Sequence, residues 1–172
     1  MEMVFFEGGT GIGFFDHMLN LFAKHGGFSL MVDVEGDLEI DGHHTVEDVG
    51  IVLGEAFKTA LGDKKGIVRY GDIILPMDEA LIMVALDLGG RPYLNFKAEM
   101  PIPLLGNFET ELVEEFLRAF TMSCGLNLHV KLLEGKNTHH IVEGIFKGFA
   151  RSLKKAVMDT GSNEIPSNKG SL

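Results

Sequence analysis

The sequence predicts an α+β fold made of two similar halves, each a sheet layer with helices packed on one face. Three observations predict it. The stretch His-His-x-x-Glu occurs twice, in "DGHHTVEDVG" at 41–50 and in "NTHHIVEGIF" at 137–146. Each copy opens an amphipathic helical pattern, and each follows an earlier helix and an extended segment. The middle of the chain is strand-rich, its apolar runs cut by proline and glycine. At 172 residues the chain is expected to form one domain, 1–172, with approximate pseudo-repeats at 10–88 and 89–172.

The elements follow in order. "FFDHMLNLFAK", 14–24, has helical periodicity and stops at Gly26-Gly27. "FSLMVDV" reads as a strand, and "DLEIDG" alternates like another. "HHTVEDVGIVLGEAFKTAL" is a helix over 43–61, stopped by Gly62. "GDIILP", "ALIMVALDL" and "RPYLNFKAEM" are strands separated by Pro76, Gly89-Gly90 and Pro101. A helix over 109–124 ends at Gly125, "LNLHVKLLEG" alternates as a strand, and 139–159 form a last amphipathic helix. The polar tail "NEIPSNKGSL" reads from composition alone as frayed.

Charge and cysteine usage exclude several classes. Twenty-five acidic against 15 basic residues give a formal charge of -10, which argues against nucleic acid or an anionic membrane as partner and leaves room for a local basic pocket. "MEMVFFEGG" has no basic n-region and too short an apolar run for a signal peptide. "ALIMVAL" is too short to span a bilayer, so a cytoplasmic protein is expected. The single cysteine, Cys124, fits a reducing compartment and reads as a small buried hydrophobe.

The histidine pairs point to metal. Helix positions three and four apart share a face, so His43 or His44 with Glu47 could grip one cation, as could His139, His140 and Glu143. Adjacent residues on a helix diverge by about 100°, so neighbouring histidines do not ligate one ion with equal ease. Pairs occurring twice therefore suggest two metals, each drawing on different segments or subunits. Imidazole with carboxylate suits Mn, Fe, Co, Ni or Zn better than Ca or Mg. The repeat also makes His17 on the early helix and Glu115 in "LVEEFLRAF" quasi-equivalent candidate ligands. His25 closes a helix C-terminus, where the dipole favours it whatever it binds. His129 falls on the polar face of its strand and is expected to be exposed unless a subunit covers it.

"TGIGFFDHML", "DGHHTVEDVGIVLGEA", "RYG", "PMDEAL", "GRPYL", "GKNTHHIVEGIFK" and "IPSNKG" occur in that order, and with them the chain resembles the imidazoleglycerol-phosphate dehydratase family of histidine biosynthesis from Thr10 to Leu172. The resemblance implies a ribosomal-S5-domain-2-like fold and a cofactor-free lyase with two Mn²⁺ per chain at subunit interfaces. It implies a homo-oligomer of trimers assembling to a 24-mer. The implied metal ligands are His17, His43, His44, Glu47, His139, His140 and Glu143. Glu115 stands where the family usually has histidine. The implied contacts to a phosphorylated imidazole substrate are His25, Arg69, Arg91, Lys147, Ser167 and Lys169. The family's N-terminal strand with a substrate-contacting glutamate is expected to be missing, and Leu21 stands where glutamine often binds substrate.

The expected reaction turns imidazole-glycerol phosphate into imidazole-acetol phosphate and water. No nicotinamide or pyridoxal motif supplies an electron sink, so the route is expected to run through a metal-bound imidazolate and a diazafulvene-like intermediate. Glu143 or Glu47 is the expected base. Two other readings stand beside this one: a non-catalytic metal-binding oligomer whose substrate site went with the short N-terminus, and a metallohydrolase of a small phosphorylated substrate. Arg69, Arg91, Lys147 and Lys169 weigh against storage, which needs no phosphate pocket.

Overall fold

The computed structural model describes residues 4–167. Strand β1 (Phe6–Gly9) leads into helix α1 (Gly13–Gly26), strand β2 (Leu30–Asp33) and helix α2 (His43–Leu61). A hairpin of β3 (Tyr70–Met77) and β4 (Ala80–Asp87) follows, then β5 (Tyr93–Lys97) and a short ribbon, β6 (Leu104–Leu105) with β7 (Phe108–Glu109). Helix α3 (Leu112–Cys124), β8 (Asn127–Glu134) and α4 (Thr138–Ala156) complete the order. The architecture is α+β. No helix among the described residues is long and apolar enough to cross a membrane.

β1 and β2 pair in parallel, and so do β5 and β8. Apart from the β6–β7 ribbon inserted after β5, the orders β1-α1-β2-α2 and β5-α3-β8-α4 are alike in element type and in the parallel pairing of their two strands. In the second half β8 also pairs antiparallel with β4, and β4 with β3, giving a four-stranded sheet in the order β3-β4-β8-β5. Ile82, Val84, Leu86, Leu128 and Val130 alternate to one buried face, as the two-residue side-chain period of a strand requires. α4 lies on that face.

The helices associate in two parallel pairs. α1 meets α4 through Phe15 against Phe146 and Phe22 against Phe149. α2 meets α3 where Gly50 faces Phe116 and Ala119, and Gly54 faces Phe120 and Ser123. The four buried phenylalanines Phe22, Phe116, Phe120 and Phe149 join both pairs into one core. Cys124 is part of it; burial pushes its thiol up to about 11, which leaves it inert at neutral pH.

Most predicted elements stand where the periodicity places them, and α2 has the predicted bounds. "DLEIDG" is a correction. Residues 38–40 form a turn closed by Ile40 N–H on the Asp37 carbonyl at 2.8 Å, with Leu38 and Ile40 both exposed. Its alternation finds no sheet face: Leu38 and Ile40 form no buried apolar side, and Gly36 just before them lies so close to Thr45 of α2 that a Cβ there would clash with the hydroxyl. β1 and the β6–β7 ribbon had no pattern long enough to reveal them. His129 is half-buried beside the Tyr93 ring, with centroids 5.6 Å apart.

Candidate metal centre

α2 and α4 begin in the same way. Asp41 Oδ1 accepts the His43 N–H at 2.8 Å, and Asn137 Oδ1 accepts the N–H groups of His139 and His140 at 2.9 and 3.4 Å. These side chains satisfy donors that the first turn of a helix leaves unpaired. They also fix where each histidine pair leaves its helix. The two rings of a pair stand nearly perpendicular, at 88° for His43–His44 and 84° for His139–His140.

His139 and Glu143 share one face of α4, four residues apart, and α1 brings His17 to them. His139 Nε2 lies 3.2 Å and His17 Nε2 3.9 Å from Glu143 Oε2. One ligand atom from each of the three lies within 4.8 Å of the others, and this is the only such histidine–carboxylate group among the described residues. Two ligands about 2.1 Å from an ion lie at most about 4.2 Å apart, so the trio fits a transition-metal ion with little movement. Phe14 packs edge-on against the His139 ring at 5.3 Å and closes one side.

Burial alone would raise the Glu143 carboxyl. Contacts from Lys147 and His139 outweigh it and hold the group below the usual carboxylate range. Lys147 Nζ bonds Glu143 Oε1 and reaches Met77 Sδ at 3.5 Å. His139, Glu143, Lys147 and Arg151 therefore follow one another at four-residue spacing along α4. His25 of α1 lies beside the cationic end of this stripe: burial first, then the charges of Lys147, Arg151 and Lys24, lower its pKa. Along one helix seam, an acidic and imidazole-rich end passes into a cationic one.

The other expected residues lie elsewhere. His44 Nδ1 contacts Asp37 Oδ2 at 2.8 Å, and His140 Nδ1 contacts Glu79 Oε2 at 2.7 Å. His43, Glu47 and Glu115 belong to the α2–α3 pair and do not meet as a ligand group in this chain; Glu115 sits 3.9 Å from Arg118 Nε. Arg69 is held by Asp87 and by the Pro166 carbonyl, Arg91 is exposed two residues before β5, and Ser167 N–H donates to the Ile165 carbonyl. Lys169 lies outside the described residues. Sequence reasoning missed Arg151, for which the four-residue spacing from Lys147 was the available signal. It also missed Asp37, Glu79 and Asp87, for which there was none beyond their charge.

Fold and seam together define an α+β protein whose histidine–carboxylate group is of metal-ligating type and sits beside cations suited to an anionic substrate. A profile described as imidazoleglycerol-phosphate dehydratase matches residues 10–153. The imidazoleglycerol-phosphate dehydratase of Acetivibrio thermocellus is 63% identical over 164 residues, covering 95% of this chain and 84% of that protein. The crystal structure of the Staphylococcus aureus enzyme superposes with a TM-score of 0.85 at 46% identity, over 90% of this chain and 88% of that one. The Pyrococcus furiosus enzyme also gives 0.85, at 35% identity, over 97% and 90%. The chain belongs to the imidazoleglycerol-phosphate dehydratase family.

Proposed function

We propose that this protein is a Mn²⁺-dependent dehydratase of histidine biosynthesis, converting imidazole-glycerol phosphate to imidazole-acetol phosphate and water. The observation that carries the reading, beside family membership, is the meeting of His17, His139 and Glu143 at the head of a cationic stripe. These three residues would hold one Mn²⁺, and His43, His44, Glu47, Glu115 and His140 are the donors for a second centre completed between copies of the chain. Two ions per chain and a homo-oligomer of trimers assembling to a 24-mer belong to the same proposal. When bound, the metal would take imidazole nitrogen and make the ring an electron reservoir for the carbon attached to it.

The chain's own residues do the rest. Arg151, eight residues on from Glu143, lies about 12 Å along the α4 axis at 1.5 Å per residue, with Lys147 between them bonded to Glu143 and His25 beside the cationic end. That separation suits a substrate with imidazole at one end and phosphate at the other. Arg69, Arg91, Ser167 and Lys169 would add phosphate contacts. His25, its pKa lowered, would offer an N–H instead of a charge.

The product's ketone is on the middle carbon. The hydroxyl therefore leaves the carbon beside the ring, and the proton leaves the middle carbon. A carboxylate takes that proton and a proton is returned to the hydroxyl, which departs as water; the enol O–H proton is then replaced by one on the carbon beside the ring, giving the ketone. Glu143 is ionised, beside the imidazole end, and is the leading base; Glu47 is the alternative. Incubating the purified protein and Mn²⁺ with imidazole-glycerol phosphate should yield a product lighter by one water. Substrate recovered unchanged would refute the assignment, and released inorganic phosphate would favour a metallohydrolase.

A further inference from the structure

The second histidine of each pair is built differently from the first. His139 turns Nε2 toward Glu143 on its own helix. His44 and His140 instead turn Nδ1 to a carboxylate from outside their helices. Asp37 comes from the segment between β2 and α2, and Glu79 from the β3–β4 turn, 61 residues before its histidine. Nothing in the local sequence makes these carboxylates alike, yet both contact Nδ1, at 2.8 and 2.7 Å. The ring pairs also match, with centroids 6.2 Å apart in both.

Glu79 is tied further into the helix start. The same carboxylate accepts the N–H groups of Lys136 and Asn137 at 3.2 and 2.7 Å. Asn137 in turn caps α4 beneath His139 and His140. The β3–β4 turn thus sets both the helix start and the ring. Asp37 sets the His44 ring from the turn that replaces the predicted strand, while Asp41 bonds the start of α2. That turn has a use: a strand continuing through 37–42 would carry Asp37 away from His44.

A neutral imidazole that gives its Nδ1–H to a carboxylate keeps its lone pair on Nε2. Its partner fixes the tautomer and ring direction and makes Nε2 a better donor. Neither His44 nor His140 joins the group formed by His17, His139 and Glu143. Asp78 Oδ2 lies 3.5 Å from His140 Nε2 and is 70% exposed, so it is free to swing aside or to join as a donor.

We propose that Asp37 and Glu79 are paired positioning residues, which fix His44 and His140 as Nε2 metal ligands directed away from the intrachain trio. The inference rests on the Mn²⁺-dependent reading above. The test is calorimetric Mn²⁺ titration of metal-stripped protein as wild type, Asp37→Ala, Glu79→Ala, Asp37→Asn and Glu79→Gln, with circular dichroism as the check on folding. Each alanine variant should weaken Mn²⁺ binding by about 10- to 100-fold. The amide variants, which keep an acceptor for Nδ1–H, should recover part of it.

Folded alanine variants that bind Mn²⁺ within twofold of wild type would overturn the positioning role and leave the metal reading intact. A wild type that binds no Mn²⁺ would overturn both. Should an alanine variant not fold, Mn²⁺-soaked wild-type crystals decide. Anomalous density beside Nε2 of His44 and His140 supports the proposal, and density beside Nδ1 overturns it.

Discussion

Asp87 grips Arg69 with both carboxylate oxygens, Oδ1 taking Nε at 2.7 Å and Oδ2 taking Nη2 at 3.0 Å. This leaves Nη1 to donate to the carbonyl of Pro166 at 2.7 Å. The ion pair therefore ties the start of β3 to the C-terminal segment. That segment also bonds to Gly66 through the Thr160 N–H and the Glu164 carbonyl. Composition alone makes "NEIPS" a fraying tail, but a guanidinium oriented by one carboxylate holds it against the sheet.

Asp87→Asn should loosen this segment. Hydrogen bonds to charged groups contribute about 1.5–3 kcal/mol, so we expect KM for imidazole-glycerol phosphate to rise about tenfold or more, with a smaller change in kcat. Amide exchange of residues 158–167 should quicken in the same variant. Unchanged exchange would show that Arg69 does not hold the segment.

Glu143→Gln should fold like wild type and lose turnover by about 10²- to 10⁴-fold, the usual contribution of a positioned acid–base group. Its Mn²⁺ affinity should fall as well, because the amide replaces an anionic donor. Steady-state assay at saturating Mn²⁺ separates the two effects. Full turnover there would move the base to Glu47.

His25 gives a pH prediction of definite sign. Burial and the neighbouring cations lower its folded pKa below the ordinary 6.5, so between that lowered value and 6.5 the unfolded chain binds the extra proton. The contribution of neutral His25 to stability is complete above 6.5 and is lost as pH falls through the lowered value. Thermal melts between about pH 7 and pH 5 should show a shallower decline for His25→Gln than for wild type. Parallel declines would remove His25 as a source of the slope.

The α2–α3 crossing depends on Gly50. A Cβ there would stand 2.8 Å from the Phe116 carbonyl oxygen and from Ala119 Cβ, inside contact distance. Gly50→Val should destabilise the fold by about 1–3 kcal/mol, read as a lower denaturation midpoint at an unchanged slope. It should also disturb Glu47 and Glu115, which leave the same pair of helices. An unaltered midpoint would mean that the helices separate at no cost.

The fold was legible in the sequence where pattern and length agreed. The 43–61 helix combines a clear period with a glycine stop, and the last helix and the two strands of the β3–β4 hairpin show their period clearly, although Pro76 lies inside β3 and does not end it. The strand expected in "DLEIDG" did not form: alternation over six residues is a short signal, and Leu38 and Ile40 stay exposed with no apolar face to bury. At the site, the i,i+4 relation of His139 to Glu143 could be read directly from α4. The arrival of His17 could not, since it depends on how α1 packs against a helix more than 110 residues later. Family resemblance named Arg69 as a phosphate contact, but its hold on Pro166 is a tertiary fact. The same is true of Glu79 and His140, which sequence places far apart and folding joins at a turn.

Dehydration of imidazole-glycerol phosphate by this chain is proposed to need Mn²⁺ at its histidine–carboxylate donors. The most direct test is ketone formation by EDTA-stripped, dialysed protein as Mn²⁺ is titrated back. No product should form without metal, and activity should rise with bound Mn²⁺ until its sites are filled. Equal product formation by stripped and Mn²⁺-loaded protein would contradict it.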